Sequence, residues 1–556
     1  MPAGNEPTQE IWRPQDQAEF DVIVIGSGAA GLTAALAASA AGARVLIVEK
    51  SDLIGGTSAM SGAGTWIPCN RLAREVGLSD SRDEALTYLK AASPENWGKK
   101  EEPLWRSFVD HAAEMIDFVE ANTPIRYQLL AEPDPQAERP GGKVEGRMIS
   151  PLPLSRRLLG RLGRKLRRST LPHLFTYHEL VTEDLYHAPL TSIVRCAPRL
   201  VSRLLKGERG QGSALIIGLL RGCFDLGCLL SPESRVTELI LDQQGAVRGI
   251  KVRIGERSYA VHAQRGVVLA TGGFEWDSEL LNRHFPGGVE RIGSPRSNEG
   301  DGQKLAMKAG AKLERMDQAN IYPLLPIHYE GRLHGMPVTF QADPHAIVVN
   351  AKAERFVSEY DYNIGEALDR RDSNTGQPIN LPAWVIGDFR VWRGSPVLRW
   401  YAANDPGWVK KAESLAALAK IVGLEPAGLE AAVARWNDFC DKGRDEDFHR
   451  GETVWERYKS KHSSNESTNS TLGKVEQAPF LAMSINRSIV GTKGGARTNV
   501  KGEVLRDDGS VISGLYAAGN AMANPIGTRA VGAGTTIGPC MTWGYICAKS
   551  ILSTNR

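Results

Sequence analysis

Three glycines near the start of the chain have the spacing needed to approach a dinucleotide. Gly26, Gly28 and Gly31 follow the apolar run VIVI and precede an alanine-rich stretch. In such a turn the first glycine permits the tight bend, the second lets the backbone approach a pyrophosphate, and the third lets a helix pack on a strand. Glu49 ends the next apolar run eighteen residues after Gly31, close to where a ribose-binding carboxylate is expected. The full pattern favours dinucleotide binding over a glycine turn that binds no ligand.

Two further clusters of small and hydroxyl residues indicate which dinucleotide is bound. One follows Glu49 directly and reads SDLIGGTSAMSGAG; the other includes GLYAAGN at 514–520 and GAGTTIGP at 532–539. Residues of this kind suit a cofactor that extends beyond its phosphates, as the ribityl chain and ring of FAD do. The second cluster opens a final helix predicted to run to about Ser550. The N-terminus of that helix would stabilise a reduced, anionic flavin ring.

A strand, a helix and a second strand at 21–50 must position the first cluster, and a strand and a helix near the other end must position the second. We therefore predict that both ends of the chain build one FAD site. The predicted cofactor-binding residues are Gly26, Gly28, Ala29, Ala30, Gly31, Glu49, Lys50, Gly56, Thr57, Ser58, Gly62, Ala270, Thr271, Gly272, Gly519, Asn520, Thr536 and Ile537.

Further segments extend this pattern over nearly the whole chain and resemble a known family. They read VVLATGGFE at 267–275, NEGDGQKLAMKAGA at 298–311, ERFVSE at 354–359 and GTKGGARTNVKGEVLRDDGSVISGLYAAGN at 491–520. With GSGAAG and the segment at 49–64, they resemble the fumarate reductase and 3-ketosteroid dehydrogenase flavoproteins, in that family's order. The resemblance implies an α/β fold in which a Rossmann-type FAD-binding domain carries an inserted α+β catalytic cap domain.

The cofactor motifs at the two ends must meet in space, so the residues between them form an insertion. We predict the first part of the FAD-binding domain at 20–290, the catalytic cap domain at 291–475 and the second part of the FAD-binding domain at 476–556. In the family the cap covers the flavin ring, and the substrate is held between the two.

The resemblance also points to a tyrosine base. After the ERFVSE segment the chain reads Tyr360-Asp361-Tyr362, and Tyr362 falls nearest the catalytic cap tyrosine of the ketosteroid dehydrogenases. Tyr360 is the reserve candidate. A phenol with a pKa of about 10 is a poor base at neutral pH unless neighbouring charge favours the phenolate. The alternative is a half-buried tyrosine whose hydroxyl is satisfied and plays no catalytic part.

The pocket for the ketone oxygen departs from the ketosteroid pattern. Gly534 is kept, but Ala530 replaces the tyrosine that stands four positions earlier in those enzymes. A second site tyrosine of the family also has no counterpart, since the segment at 132–135, before the PGG at 140–142, reads EPDP. Arg529 either replaces the missing tyrosine as a donor to the ketone or pairs with a carboxylate at the domain seam.

These residues predict an FAD-dependent dehydrogenase that introduces a carbon–carbon double bond α,β to a ketone, in a 3-oxosteroid or a related cyclic ketone. One alternative is a flavin-dependent enone or enoate reductase of the fumarate reductase type. Another is a non-catalytic FAD-binding protein that transfers electrons, which the large cap with its tyrosines disfavours. The arginine that donates a proton in fumarate reductases is replaced here by Tyr362 or Asn363, which disfavours a dicarboxylate substrate.

The remaining predictions about cofactors and partners depend on motifs that are absent from the sequence. The histidine that carries a covalent flavin in succinate dehydrogenases is missing around 55–58, so we expect noncovalent FAD. No second dinucleotide signature is visible, so electrons are predicted to leave to a quinone, an electron carrier protein or oxygen. Seven cysteines without a CxxC argue against a metal site, and a net charge of +3 gives no reason to expect nucleic acid.

One basic segment stands apart from these motifs. It reads LSRRLLGRLGRKLRR at 154–168 and carries seven basic residues among its leucines. The segment either contacts an anionic membrane surface or is a solvated helix or loop, and Gly160 and Gly163 favour the second reading because they weaken a helix. The first twenty residues lack an apolar signal segment, so we expect a cytoplasmic protein with peripheral membrane contact as the open alternative.

Overall fold

An eight-stranded sheet forms the centre of the dinucleotide-binding part of the chain. In the computed structural model, which describes residues 10–12, 14–461 and 469–553, the strand Ala18–Ile25 lies in the middle of this sheet. Ile23 stands opposite Leu46 on one side and Val267 on the other, in parallel pairing. The path of the sheet runs through Glu503–Leu505, Val511–Ala517, Arg257–Leu269, Ala18–Ile25, Val45–Val48 and Leu229–Ser231. The predicted Rossmann-type sheet is confirmed.

Two β-branched runs around a Gln-Gly turn at 235–252 predict a hairpin, and the structure confirms it. The strands Ser234–Leu241 and Val247–Ile254 pair in antiparallel fashion, and the second continues the ladder onto Arg257–Leu269.

Two helices from opposite ends of the chain pack on each other against this sheet. The first, Ala29–Ala40, follows the glycine turn, and the last, Ile537–Ser553, confirms the predicted final helix. A Cβ atom at Gly544 would lie 2.2 Å from the carbonyl oxygen of Ala30, so the two helix backbones approach too closely for any side chain there. This contact brings the N-terminal and C-terminal cofactor segments together.

The other elements of this part surround the sheet. The apolar helix Gln211–Asp225 is buried against the first helix, and Cys223 lies in the core. The other helices here are Gly56–Met60, Arg71–Glu75, Arg82–Ala92, Gly98–Asn122, Tyr177–Thr182, Pro189–Lys206, Ser278–His284 and Asp301–Lys308. Two small sheets are formed by Thr65–Trp66, Met148–Pro151 and Tyr127–Leu129, and by Leu154–Ser155 and Glu208–Arg209.

The inserted part is built on a four-stranded antiparallel sheet. Its strands, in spatial order, are Ala346–Val349, Trp384–Gly387, Phe480–Ser484 and Val409–Ala412. Ile347 faces a core shared with Trp436, whereas Val348 faces a core shared with Phe340, as the alternation of side chains along a strand requires. Because Phe480–Ser484 pairs inside this sheet, we propose that the cap continues through residue 484 rather than ending at 475.

Several short elements complete the cap and its connections. The helices are Ile364–Leu368, Phe389–Gly394, Pro396–Ala402, Leu415–Val422, Pro426–Lys442 and Val454–Lys459. A hairpin is formed by Leu324–Tyr329 and Arg332–Pro337, and two-stranded ladders join Leu313–Glu314 to Gly495–Ala496 and Ala319–Ile321 to Ile489–Thr492. A 3₁₀ turn, Gly519–Ala521, precedes the final cofactor segment. The polar, serine-rich composition of 460–472 predicts an exposed loop, and this stretch lies partly outside the described residues.

A buried ion network fixes the segment that leads to Tyr362. Glu359 accepts hydrogen bonds from the Val348 amide at 2.8 Å and from Arg450 at 3.0 Å, and it also pairs with Arg355. Burial alone raises the pKa of Glu359, but the two arginines outweigh it and hold that pKa below its usual value. The ERFVSE segment is therefore locked onto the first strand of the cap sheet.

The basic segment is a pair of 3₁₀ turns and not an α-helix. Arg156–Arg164 is interrupted at Gly160, whose φ of 53° breaks the helical path. Six of its seven basic residues are exposed, but Arg167 is buried. The exposure of these six residues is compatible with a solvated segment and with membrane contact, whereas Arg167 takes part in neither. Within the described ranges, no helix combines the length and hydrophobicity needed to cross a membrane.

The close helix contact at Gly544 generates a stability prediction. Gly544→Ala should lower the free energy of unfolding by about 1–3 kcal/mol, because its methyl group must push the two helices apart. Thermal and urea unfolding measure this change. Gly98→Ala is the control, since a Cβ at Gly98 meets no atom within 4 Å. Equal stability of the two variants would contradict the packing argument.

Candidate functional site

A cavity opens where the central parallel strands end. Ile25 and Val48, the last residues of two of these strands, form part of its wall. Among the predicted cofactor residues, all but Gly31 and Gly62 line it. A Cβ at Gly31 would lie 2.1 Å from the Gly26 carbonyl oxygen, which is the helix-to-strand contact expected of the third glycine.

The cavity wall presents donors without side-chain caps. Gly28 begins the first helix with no side-chain cap and no acidic residue in the first turn, and Gly55 begins the short helix Gly56–Met60 in the same way. The Ala29 amide donates to Ser58 Oγ at 3.1 Å, which joins the two helix starts. Uncapped helix N-termini are ready sites for phosphate oxygens.

Glu49 supplies the carboxylate of the site. It is buried and accepts hydrogen bonds from the Ser27 amide at 3.1 Å, the Ser27 hydroxyl at 2.7 Å and the Ser51 amide at 2.9 Å. These bonds fix the carboxylate at the edge of the cavity. Its position matches the ribose-binding acid of a dinucleotide fold.

The chain contributes further cavity residues that the sequence analysis did not identify. Asn298 belongs to the NEGDGQ motif, and that motif was the signal that could have found it. Arg167 donates to the Ser51 hydroxyl at 2.9 Å and pairs with Glu330 of the hairpin, and no sequence signal separates it from its basic neighbours. The buried Oδ1 atom of Asn520 lacks a hydrogen-bond partner among the described residues. Such an unsatisfied group in a polar cavity fits a bound cofactor.

A cluster of tyrosines lies beside this cavity and includes Tyr362. Its members are half-buried side chains whose pKa values are raised by burial and by the buried carboxylate of Glu132, and they are Tyr177, Tyr322, Tyr362 and Tyr458. The ring of Tyr177 lies against Gly62 and Gly64, so the cluster touches the second glycine segment of the cofactor site.

Tyr362 is packed within this cluster. Its ring packs edge-on against Trp455 with 4.7 Å between ring centroids. Burial, followed by the proximity of Tyr322 and Glu132, raises the pKa of Tyr362 well above its usual value. The phenol is therefore protonated at neutral pH.

Tyr360 lies elsewhere, inside the ion network of the cap. The guanidinium carbon of Arg450 sits 4.7 Å from the centroid of its ring, and the side chain is 4% exposed. The structure therefore does not bring Tyr360 together with Tyr362.

The loop that carries Gly534 meets the segment that carries Tyr362. The Asn363 side chain bonds both the amide and the carbonyl of Ala530, at 2.9 and 3.1 Å. Gly534 has a φ of +79°, and a Cβ there would lie 2.3 Å from the Gly64 carbonyl oxygen. Only glycine fits this position, and its backbone lies against the second glycine segment.

Arg529 forms a two-bond ion pair with Glu366 of the cap. Both bonds, from Nε and Nη2, are 2.7 Å long. This is the carboxylate pairing at the domain seam that the sequence left open. Arg529 also lines a second cavity together with Asn363 and Gln318.

The tyrosines other than Tyr362 were missed because nothing in their local sequence marks them. Tyr177 is the first residue of a helix whose capping box, Thr176 with Glu179, was the only readable signal there. Glu132 was noticed as a departure from the ketosteroid pattern, but its place beside Tyr177 emerges only in the folded chain.

Comparison with known proteins agrees with this geometry. A family model described as FAD binding domain matches residues 21–537. The chain is 35% identical to 4-oxocyclohexanecarboxylate 2-dehydrogenase of Sinomonas cyclohexanicum, over 96% of this chain and 92% of that protein. It is 35% identical to 3-oxosteroid 1-dehydrogenase of Mycobacterium tuberculosis, over 96% and 98%.

A solved structure extends the likeness to three dimensions. The 3-ketosteroid delta1-dehydrogenase from Sterolibacterium denitrificans, in complex with 1,4-androstadiene-3,17-dione, superposes with a TM-score of 0.86 at 32% identity. The match covers 97% of this chain and 100% of that one. The predicted resemblance to the ketosteroid dehydrogenase flavoproteins is confirmed, and the chain belongs to the FAD binding domain family.

Proposed function

We propose that this protein is an FAD-dependent dehydrogenase that introduces a double bond α,β to the ketone of a cyclic substrate. The observation that carries the proposal is the tyrosine cluster, which lies directly beside the cofactor cavity and includes Tyr362. The relatives named for desaturating a 3-oxosteroid and 4-oxocyclohexanecarboxylate support the same reaction class. The substrate is a cyclic ketone of one of these two kinds.

The cavity residues would hold FAD through three kinds of contact. The helix starts at Gly28 and Gly55 offer amides to the phosphates, and Glu49 offers its carboxylate to a ribose. The second glycine segment and the loop before the final helix border the end of the cavity that faces the tyrosines. FAD, when bound, supplies the acceptor for a hydride from the carbon β to the ketone.

The chain's own residues provide the remaining functions. Tyr362 takes the proton from the α-carbon, and the Gly534 amide, at the start of the last helix segment, donates to the ketone oxygen. Arg529 acts as a positioning residue: its pair with Glu366, together with the Asn363 bonds to Ala530, holds the oxygen-binding loop against the segment that carries Tyr362.

We further propose that the protein meets an anionic membrane surface and passes electrons to a quinone or an electron carrier protein. The helix Pro189–Lys206 exposes apolar side chains spaced along one face: Leu190 is 78% exposed, Val194 73%, Val201 53% and Leu205 72%. Arg157 of the basic segment donates to the Leu205 carbonyl at 2.8 Å, so exposed arginines adjoin this apolar face. Apolar residues rimmed by cations fit a lipid surface with anionic headgroups.

The cofactor proposal predicts a yellow protein whose FAD is released by acid. Gly28→Val should abolish FAD binding, because a branched side chain would fill space needed by the pyrophosphate. The variant should keep its far-UV circular dichroism, since a Cβ at Gly28 meets only Ser58 Oγ, at 3.5 Å. Absorbance of the purified variants measures FAD content. Flavin that stays attached after acid precipitation, or full occupancy in Gly28→Val, would contradict this prediction.

The catalytic proposal predicts that Tyr362→Phe slows flavin reduction by a ketone by about 10²-fold or more while FAD stays bound, the size expected for loss of a general base. Anaerobic mixing with 4-androstene-3,17-dione and with 4-oxocyclohexanecarboxylate, followed at the flavin band, measures the rate and tells which ketone is used. Tyr360→Phe is the control, because its hydroxyl lies in the cap network. Bleaching by neither ketone, or a wild-type rate in Tyr362→Phe, would overturn the proposal.

The membrane proposal predicts that the protein sediments with phosphatidylglycerol vesicles more than with phosphatidylcholine vesicles, and less at high salt, because screening weakens surface attraction. Replacing Val194 and Leu205 together by Asp should remove this binding. Val76→Asp is the matched control, since Val76 is an apolar residue that is 64% exposed on another helix end. Equal sedimentation of the double variant and the wild type would exclude this face as the lipid contact.

A further inference from the structure

Glu132 is a buried carboxylate that the proposed reaction does not yet use. It is 4% exposed and follows the short strand Tyr127–Leu129. The Tyr177 hydroxyl donates to its Oε1 atom at 3.4 Å, while Oε2 has no hydrogen-bond partner within the described part of the chain. A carboxylate oxygen that is buried and unpartnered is costly, and such groups occur where they serve a function.

The groups that face Glu132 come from several separate segments. They are the tyrosines Tyr177, Tyr322, Tyr362 and Tyr458 and the ammonium groups of Lys459 and Lys461. Burial raises the pKa of Glu132 above its usual value, although Lys459, Tyr177 and Lys461 act in the opposite direction. The carboxyl group of Glu132 therefore exchanges its proton at a pH closer to neutrality than an exposed glutamate does.

The proposed base, Tyr362, creates a need for such a group. A protonated phenol cannot accept the α-proton of a ketone unless its own proton leaves at the same time. Tyr362 lies close enough to Tyr177 to raise the pKa of that phenol, after the larger effects of burial and Glu132. The Tyr177 hydroxyl in turn donates to Glu132 Oε1 at 3.4 Å, which supplies the contact between this group of phenols and a carboxylate.

We infer that Glu132 is the terminal proton acceptor of the reaction, reached from Tyr362 through the hydroxyl of Tyr177. The α carbon–hydrogen bond breaks and its proton passes to Tyr362 Oη. Tyr362 gives its own proton to Tyr177, and Tyr177 gives its proton to Glu132. The electron pair of the α-bond becomes the new double bond, and FAD, when bound, would accept the β-hydrogen with its electron pair. Glu132 then returns its proton to solvent.

This inference rests on the proposed function, and its main test is the pH profile of flavin reduction. The holoenzyme is mixed anaerobically with 4-androstene-3,17-dione or 4-oxocyclohexanecarboxylate from a pH of about 5 to about 10, the interval between ordinary carboxyl and phenol pKa values. The wild-type rate should rise as Glu132 ionises and then level. Glu132→Gln should be about 10²-fold slower at neutral pH, with a rate that keeps rising to the top of the range because only a phenol is left to ionise.

Two further variants separate proton transfer from structure. Glu132→Asp should keep the wild-type shape of the profile at a lower rate, because a carboxylate is still present. Glu120→Gln is the control: Glu120 is also buried, but its oxygens are held by Arg71 and the Tyr127 amide. Its profile should match the wild type. A Glu132→Gln variant with the wild-type profile, or with a rate lowered equally at every pH, would overturn the inference.

An infrared titration tests Glu132 without turnover. In pH-difference spectra of the oxidised holoenzyme, a carboxyl band absent from Glu132→Gln should titrate above the ordinary glutamate pKa of about 4.3. Absence of such a band overturns the inference. Failure of the proposed function appears differently, as a wild-type flavin that neither ketone reduces.

Discussion

The architecture depends on a few places where two backbones approach too closely for any side chain. A Cβ at Gly26 would lie 2.3 Å from the Ala270 carbonyl oxygen, and similar contacts occur at Gly534 and Gly544. Each contact joins segments that are more than two hundred residues apart in the sequence, and those at Gly534 and Gly544 join the last part of the chain to the first. The cofactor cavity therefore forms only after both ends of the chain have packed together. The residues in the middle of the sequence form the cap, which is a second layer.

That layer is held to the cavity by polar contacts and by a small apolar cluster that joins Phe274 and Phe285 to Ile321. The buried cluster of Glu359 with Arg355 and Arg450 fixes the segment before Tyr362 to the cap sheet. Asn363, one residue beyond Tyr362, then bonds the backbone of the loop at 529–534. Such directional bonds define one register between the two layers. They bring a side chain of the cap and a backbone amide of the cofactor domain close to each other.

The sequence was sufficient for features encoded by local spacing. The glycine turn, Glu49, the edge hairpin and the final helix are examples. Each follows from a pattern that spans no more than about thirty residues, the length of a βαβ unit. Residues whose role depends on tertiary placement could not be predicted in this way. Tyr177 reaches the site from a helix with no motif, and the strand Phe480–Ser484 pairs across a hundred residues with a partner that its own sequence does not reveal.

Arg167 gives the basic segment a significance beyond its surface charge. Arg167 lines the cofactor cavity and its guanidinium donates to the Ser51 hydroxyl, while its exposed neighbours belong to the face proposed to meet lipid. The same stretch of backbone therefore takes part both in FAD binding and in the proposed lipid binding. Thermodynamic linkage makes any coupling between them reciprocal: if lipid contact tightens this stretch around FAD, FAD must strengthen lipid contact by the same factor. Apoprotein and holoprotein would then partition differently between membrane and water, and the FAD-bound protein would be enriched at the membrane.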